Sequence, residues 1–168
     1  MAALKVGDAF PDGVSFTYVP TGGKKEDVTA CGNGIKYNAS TEAKDKKIVI
    51  VSVPGAFTPT CQEQHLKSYV EKKDELKAKG VDKVVFIAYN DHWVMSAWGK
   101  ANDIYDDFII FASDDGISFS KSIGWNLGDS GRTARYAIVV DHGKVTYAEK
   151  EEAGGIAVSG AEAVLAKL

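Results

Sequence analysis

Cys61 closes the run Pro54-Gly55-Ala56-Phe57-Thr58-Pro59-Thr60-Cys61, and that setting suits a nucleophilic thiol. Upstream, Ile48 to Val53 is an apolar, mostly β-branched run that reads as a buried strand. Downstream a helix begins near Pro59. Cys61 therefore falls in the first helical turn, where N–H groups lack intrahelical partners and the helix dipole favours an anion. A thiol there loses its proton readily, and the thiolate is the reactive form. Pro54 and Pro59 stiffen the approach. Thr58 offers a hydroxyl three residues before the thiol, able to bond the sulfur and a bound oxygen; its simpler role is to cap the helix, and the two are compatible. The simpler role of Cys61 itself is that of a small buried hydrophobe.

Few other residues compete for chemistry. His65, one turn on, either faces the thiol and tunes it or sits on the solvated face. His92 and His142 fall at a loop and a hairpin turn and read as surface residues. No His/Cys cluster has zinc spacing. Gly22-Gly23-Lys24-Lys25 lacks the spacing of a phosphate-binding loop. Gly128-Asp129-Ser130-Gly131 is a flexible approach to Arg132. Trp93, Trp98 and Trp125 read as core or interface residues, and one of them could line an apolar mouth. No metal or other cofactor is implied.

These residues need a scaffold, and 168 residues with 45% hydrophobic and 26% charged side chains suit one soluble domain, taken as residues 1–168. The net charge of -3 points neither to nucleic acid nor to an anionic membrane. No stretch reads as a signal peptide, and no apolar run is long enough to span a bilayer. Two cysteines, Cys31 and Cys61, do not make a disulfide scaffold; in a reducing compartment they are catalytic or simply buried. The tail Ala166-Lys167-Leu168 differs by one small residue from the Ser-Lys-Leu peroxisomal address, so the expected location is peroxisome, cytoplasm or both.

Val14, Phe16 and Tyr18 alternate as in a strand. Residues 20–45 read as a strand pair or loop holding Cys31. After the strand at 48–53, a helix starts with Thr58 as cap and Pro59 first, or with Thr60 as cap and Glu63 completing a capping box. Leu66, Tyr69, Val70 and Leu76 form its apolar stripe, and Gly80 ends it. Strands follow at 84–88 and 108–112 with a helix at 93–101 between them, then a short helix at 118–123. A hairpin at 136–148 turns at Asp141-His142-Gly143-Lys144, and a helix at 159–168 closes the chain. Alternating strands and helices followed by a hairpin and a helix predict an α/β fold, a mixed central sheet flanked by helices as in the thioredoxin-like fold.

The pattern Pro54-x-x-x-Thr58-x-x-Cys61 resembles the active-site signature of peroxiredoxins, thiol peroxidases on a thioredoxin-like fold. Its full form is similar to the fungal and plant type-II branch, nearest the peroxisomal-type fungal proteins, some of them mould allergens. The resemblance continues through Phe111-Ala-Ser-Asp114, Ser122-Ile-Gly124, Arg132-x-x-Arg135-Tyr136-Ala137 and the final helix. It implies that Cys61 attacks peroxide, that Thr58 orients it, that Pro54 shields the pocket and that a distant arginine stabilises charge. Arg132 matches that arginine by position, which leaves Arg135 as a structural ion-pair partner or a second site arginine. The product is a sulfenic acid, and Cys31 is the only other thiol that could condense with it. The resemblance implies a homodimer with an intermolecular Cys31–Cys61 disulfide, reduced by thioredoxin, glutaredoxin or glutathione. The rival expectation is a peroxide sensor or chaperone-like protein that uses the same thiol without efficient turnover.

Overall fold

Three apolar runs build the middle of the sheet. In the computed structural model, which describes residues 2–168, Lys47–Ser52, Lys83–Ala88 and Ile109–Ser113 are parallel neighbours. Their side chains are buried on both faces, which is why the sequence is continuously apolar rather than alternating. Numbered along the chain they are β3, β4 and β5. Ahead of them come β1 (Phe16–Tyr18) and β2 (Ile35–Tyr37), and after them β6 (Tyr136–Asp141) and β7 (Lys144–Lys150). The order across the sheet is β2-β1-β5-β4-β3-β6-β7, with β1, β2, β6 and β7 antiparallel to their neighbours. The turn between β6 and β7 has His142 at φ 48° and Gly143 at φ 82°, the left-handed pair that a tight hairpin requires.

Helices cover both faces. Val49, Val51, Phe86, Ala137 and Val139 pack beneath the helices that carry Cys61, Tyr69 and Trp98. Ile48, Ile50, Ile87, Ile138 and Val140 pack on the opposite face, against Phe16, Phe119 and Trp125. This is the thioredoxin-like arrangement expected from the element order. None of the helices among the described residues is long and apolar enough to cross a membrane.

The helix after the Cys61 loop differs from expectation in three respects. Helical backbone begins at Pro59, widens to a π-helical stretch at Cys61–Leu66, continues as α2 (Lys67–Glu71), breaks at Lys72 and resumes as α3 (Lys73–Ala78). Neither proposed side-chain cap forms. The Thr58 hydroxyl donates to the Gly55 carbonyl at 2.7 Å, and Thr60 makes no capping bond with its side chain. Thr58 still caps by its backbone, since its carbonyl accepts from Gln62 N at 2.8 Å. Val70 lies outside the apolar stripe, exposed, while His65 and Leu66 are both buried. The wide turn brings His65 inward with Leu66. Gly80 ends α3 as expected, in a left-handed conformation with Val81 N donating back to Leu76 O.

Of the remaining helices, α1 (Ala39–Glu42) and α5 (Ser118–Ser122) are single turns, and α6 (Ala161–Leu165) closes the chain. The long α4 (His92–Ala101) is capped by Asp91, whose carboxylate accepts from Val94 N at 2.9 Å. Residues 19–34 form one long loop, and only Ile35–Tyr37 of the expected strand pair joins the sheet.

Candidate active site

Cys61 sits at the inner end of the loop that leaves β3, with 1% of its surface exposed. The loop is held on both sides. Ala56 N donates to Asn90 Oδ1 at 2.9 Å, and the Thr58 hydroxyl donates to Gly55 O. Phe57, between them, adopts a left-handed φ of 64°, a strained state for an aromatic residue that this double anchoring enforces. On the helix side, the Gln62 amide is locked to α4. Gln62 Oε1 accepts from Trp98 Nε1 at 2.6 Å, and Gln62 Nε2 donates to Asn102 Oδ1 at 2.6 Å.

The cation on the thiol is Arg135. Its Nη2 donates to Cys61 Sγ at 3.2 Å, and its Nη1 lies 3.0 Å from His65 Nδ1. Thus Arg135 meets a thiol and an imidazole where a structural ion pair would have supplied a carboxylate. Arg132, matched to this role from the sequence, lies elsewhere: its guanidinium stacks 5.2 Å from the Tyr89 ring centroid. Its Nη1 stands 3.5 Å from where a Gly55 Cβ would be, beside the Thr58 methyl. It therefore stands over Gly55 and Tyr89 rather than at the sulfur.

Strand parity explains the difference. Ala137 and Val139 point to the Cys61 face of the sheet, and Tyr136 and Ile138 to the other. Arg135 is two residues before Ala137 and shares its face. The pairing of Val51 with Ala137 then puts Arg135 level with Val53, where the Cys61 loop departs. The segment just before is pinned by Thr133 Oγ1 donating to Val53 O at 2.7 Å and Ser52 Oγ donating to Ala134 O at 2.8 Å.

His65, left open between thiol and solvent, is completely buried beside Arg135. Its Nε2 is 2.9 Å from the Ser159 carbonyl. Burial holds its pKa down at about 3; the Ser159 hydrogen bond opposes this, and the nearby Arg135 charge adds to it. The ring is neutral in any ordinary buffer.

Cys31 is exposed in the 19–34 loop, with its sulfur 3.5 Å from Thr29 O, and neither cysteine is in a disulfide. The loop is clasped to α4: the buried Lys100 ammonium donates to Ala30 O at 2.8 Å and pairs with Glu26 at 3.0 Å, and Trp93 Nε1 donates to Gly32 O at 3.1 Å. Pro54 is half-buried beside Gly55 at the start of the Cys61 loop. Of the tryptophans, Trp98 and Trp125 are core residues and Trp93 is exposed.

A model of the Redoxin family matches residues 5–165. Peroxiredoxin Pen c 3 of Penicillium citrinum is 51% identical over 167 residues, covering 99% of each chain. This chain belongs to the Redoxin family, among its peroxiredoxins. A Lipomyces kononenkoae relative, named as a peroxisomal peroxiredoxin, is 48% identical over 96% of this chain and 99% of its own. Among solved structures, reduced Prx3 from Vibrio vulnificus in complex with hydrogen peroxide superposes with a TM-score of 0.81. It is 34% identical and covers 97% of this chain and 94% of its own. Peroxiredoxins are peroxidases, and this chain places a thiol at a helix start with a guanidinium on it and a threonine three residues earlier. His65 and Arg135, each with two roles open to it in the sequence, stand together at Cys61. The signal available for Arg135 was its parity with the alternating residues of β6.

Proposed function

We propose that this chain reduces hydrogen peroxide and alkyl hydroperoxides at Cys61. The observation that carries the proposal is the 3.2 Å contact of Arg135 Nη2 with Cys61 Sγ, at a helix start with Thr58 one turn earlier. The Cys61 thiolate attacks one peroxide oxygen, the O–O bond breaks, and the other oxygen leaves as water or alcohol after taking a proton. Cys61 is left as the sulfenic acid. Negative charge develops on the leaving oxygen, where a guanidinium is best placed to meet it. An arginine presents five N–H donors, and two of Arg135's are engaged, so others remain for the oxygens. Thr58 has committed its hydrogen to Gly55 O and can only accept, so it orients the peroxide through the peroxide's own O–H. Arg132, which stands over Gly55 and Tyr89, is a second cation on the approach, and Pro54 shields the pocket.

Cys31 completes the cycle in this reading. Its thiol condenses with the sulfenic acid, releasing water and forming a disulfide, which a dithiol such as thioredoxin reduces by exchange. Exposure of Cys31 supports capture by a second chain. The exposed aromatic rings of Phe57 and Tyr89, which border the Cys61 loop, suit the surface of a homodimer. Cys61 is too buried to meet an exposed thiol where it stands, so its turn must loosen first. A peroxisomal or cytoplasmic location is proposed on the Ala166-Lys167-Leu168 tail and the name of the Lipomyces relative.

The test is non-reducing electrophoresis with intact mass after one equivalent of hydrogen peroxide, on wild type, Cys31→Ser and Cys61→Ser. A disulfide-linked dimer in the wild type alone is expected. A Cys61 that does not oxidise sinks the peroxidase reading; a wild type that stays monomeric with a free Cys31 removes the resolving role. NADPH consumption with thioredoxin and its reductase separates a turning-over enzyme from a stoichiometric sensor.

A further inference from the structure

A closed ring of hydrogen bonds runs behind Arg135. The Ser159 carbonyl accepts from Tyr69 Oη at 2.7 Å and faces His65 Nε2 at 2.9 Å. A carbonyl cannot donate, so His65 must carry its proton on Nε2. Its Nδ1 is then a lone pair, and it accepts from Arg135 Nη1 at 3.0 Å. Ser159 is itself fixed by Glu151: one carboxylate oxygen accepts from Val158 N, Ser159 N and Ser159 Oγ, each at 2.8 Å. Glu151 also donates its backbone N–H to Arg135 O at 2.9 Å. The ring thus passes from the Arg135 backbone through Glu151, Ser159 and His65 to the Arg135 guanidinium.

We propose that His65 is a positioning residue that aims Arg135 at Cys61, and that Glu151 holds the far end of the same ring. The inference rests on the peroxidase reading above. The two terminal nitrogens of one planar guanidinium are spoken for, Nη1 by His65 and Nη2 by Cys61, so the plane and its remaining donors have one orientation. Without the Nδ1 acceptor, Nη1 is a partly buried donor lacking its partner; the long side chain then turns toward another acceptor and draws Nη2 off the sulfur. Attack on peroxide needs that aim, because the leaving oxygen must be met in line. Alkylation of Cys61 by iodoacetamide needs only the thiolate.

The experiment compares second-order rate constants for hydrogen peroxide and iodoacetamide at one pH in wild type, His65→Leu, His65→Asn, Glu151→Ala and Glu151→Gln. His65→Leu should lower the ratio of peroxide to alkylation rate on the order of tenfold or more. His65→Asn, whose amide oxygen replaces Nδ1, should recover most of the ratio. Glu151→Ala, which removes the acceptor for Val158 N, Ser159 N and Ser159 Oγ, should lower the ratio several-fold, and Glu151→Gln, which keeps an amide oxygen there, should restore it. A ratio unchanged in His65→Leu and Glu151→Ala overturns the inference, as does an Asn variant no better than the Leu variant. Wild type that alkylates at Cys61 but ignores peroxide would instead sink the peroxidase reading, so the two failures are distinguishable.

Discussion

Acidification from about pH 7.5 to about pH 5 should cost the native state about 2 kcal/mol through His65 alone. The imidazole is completely buried. Burial first, opposed by the Ser159 carbonyl and reinforced by Arg135, holds its pKa at about 3 against an ordinary 6.5. As the pH falls below 6.5 the unfolded chain protonates this ring, while the native state declines the proton until about 3. The unfolded state therefore binds more protons throughout that window, and stability falls with falling pH, at most by about 1.4 kcal/mol per pH unit. The contribution is nearly whole above 6.5 and is lost toward 3. Urea unfolding at the two pH values, on wild type and His65→Asn, isolates the term. Asparagine does not titrate, and the other groups, common to both proteins, largely cancel in the difference of differences. A double difference below about 0.5 kcal/mol, or one of opposite sign, would refute the neutral, buried imidazole and with it the tautomer on which the Arg135 contact depends.

Three further outcomes follow from the site and its support. Arg135→Lys keeps the charge but cannot hold Cys61 and His65 together, so its peroxide rate constant should fall on the order of a hundredfold, whereas Arg132→Ala should fall less than about tenfold; stopped-flow oxidation followed by tryptophan fluorescence reads both. Thr58→Val keeps shape and removes the acceptor for the peroxide O–H, so it should slow the same step by about tenfold or more while costing only about 1 kcal/mol of stability from the lost bond to Gly55 O. Asp114→Ala removes a buried acceptor that serves Phe119 N, Ser120 N and Ser120 Oγ, and should cost about 3 kcal/mol in chemical denaturation with little effect on Cys61 alkylation.

How far the sequence could be read depends on how far apart the interacting residues lie. The strand into Pro54, the helix after Pro59, the Gly80 stop and the His142-Gly143 turn are written within a few residues of themselves, because propensity, proline geometry and positive φ act locally. The capping box at Thr60 and Glu63 was also a local signal, and it lost to another local bond: the Thr58 hydroxyl turns back to Gly55 O and the turn widens at Cys61. With that widening Val70 lies exposed and His65 buried, the second an outcome that the helical period alone leaves open.

By itself the sequence determined that a cysteine opens a helix behind a buried strand, with a threonine one turn before it and arginines arriving from a later strand. Which arginine reaches the sulfur was decided only by strand pairing, since Val51 opposite Ala137 puts the odd-numbered residues of that strand over the Cys61 face. What His65 does was decided by a carbonyl 94 residues further on, at Ser159. Both outcomes turn on the face and register of segments distant in the chain, and these are set by burial of the whole sheet rather than by any residue's neighbours in sequence.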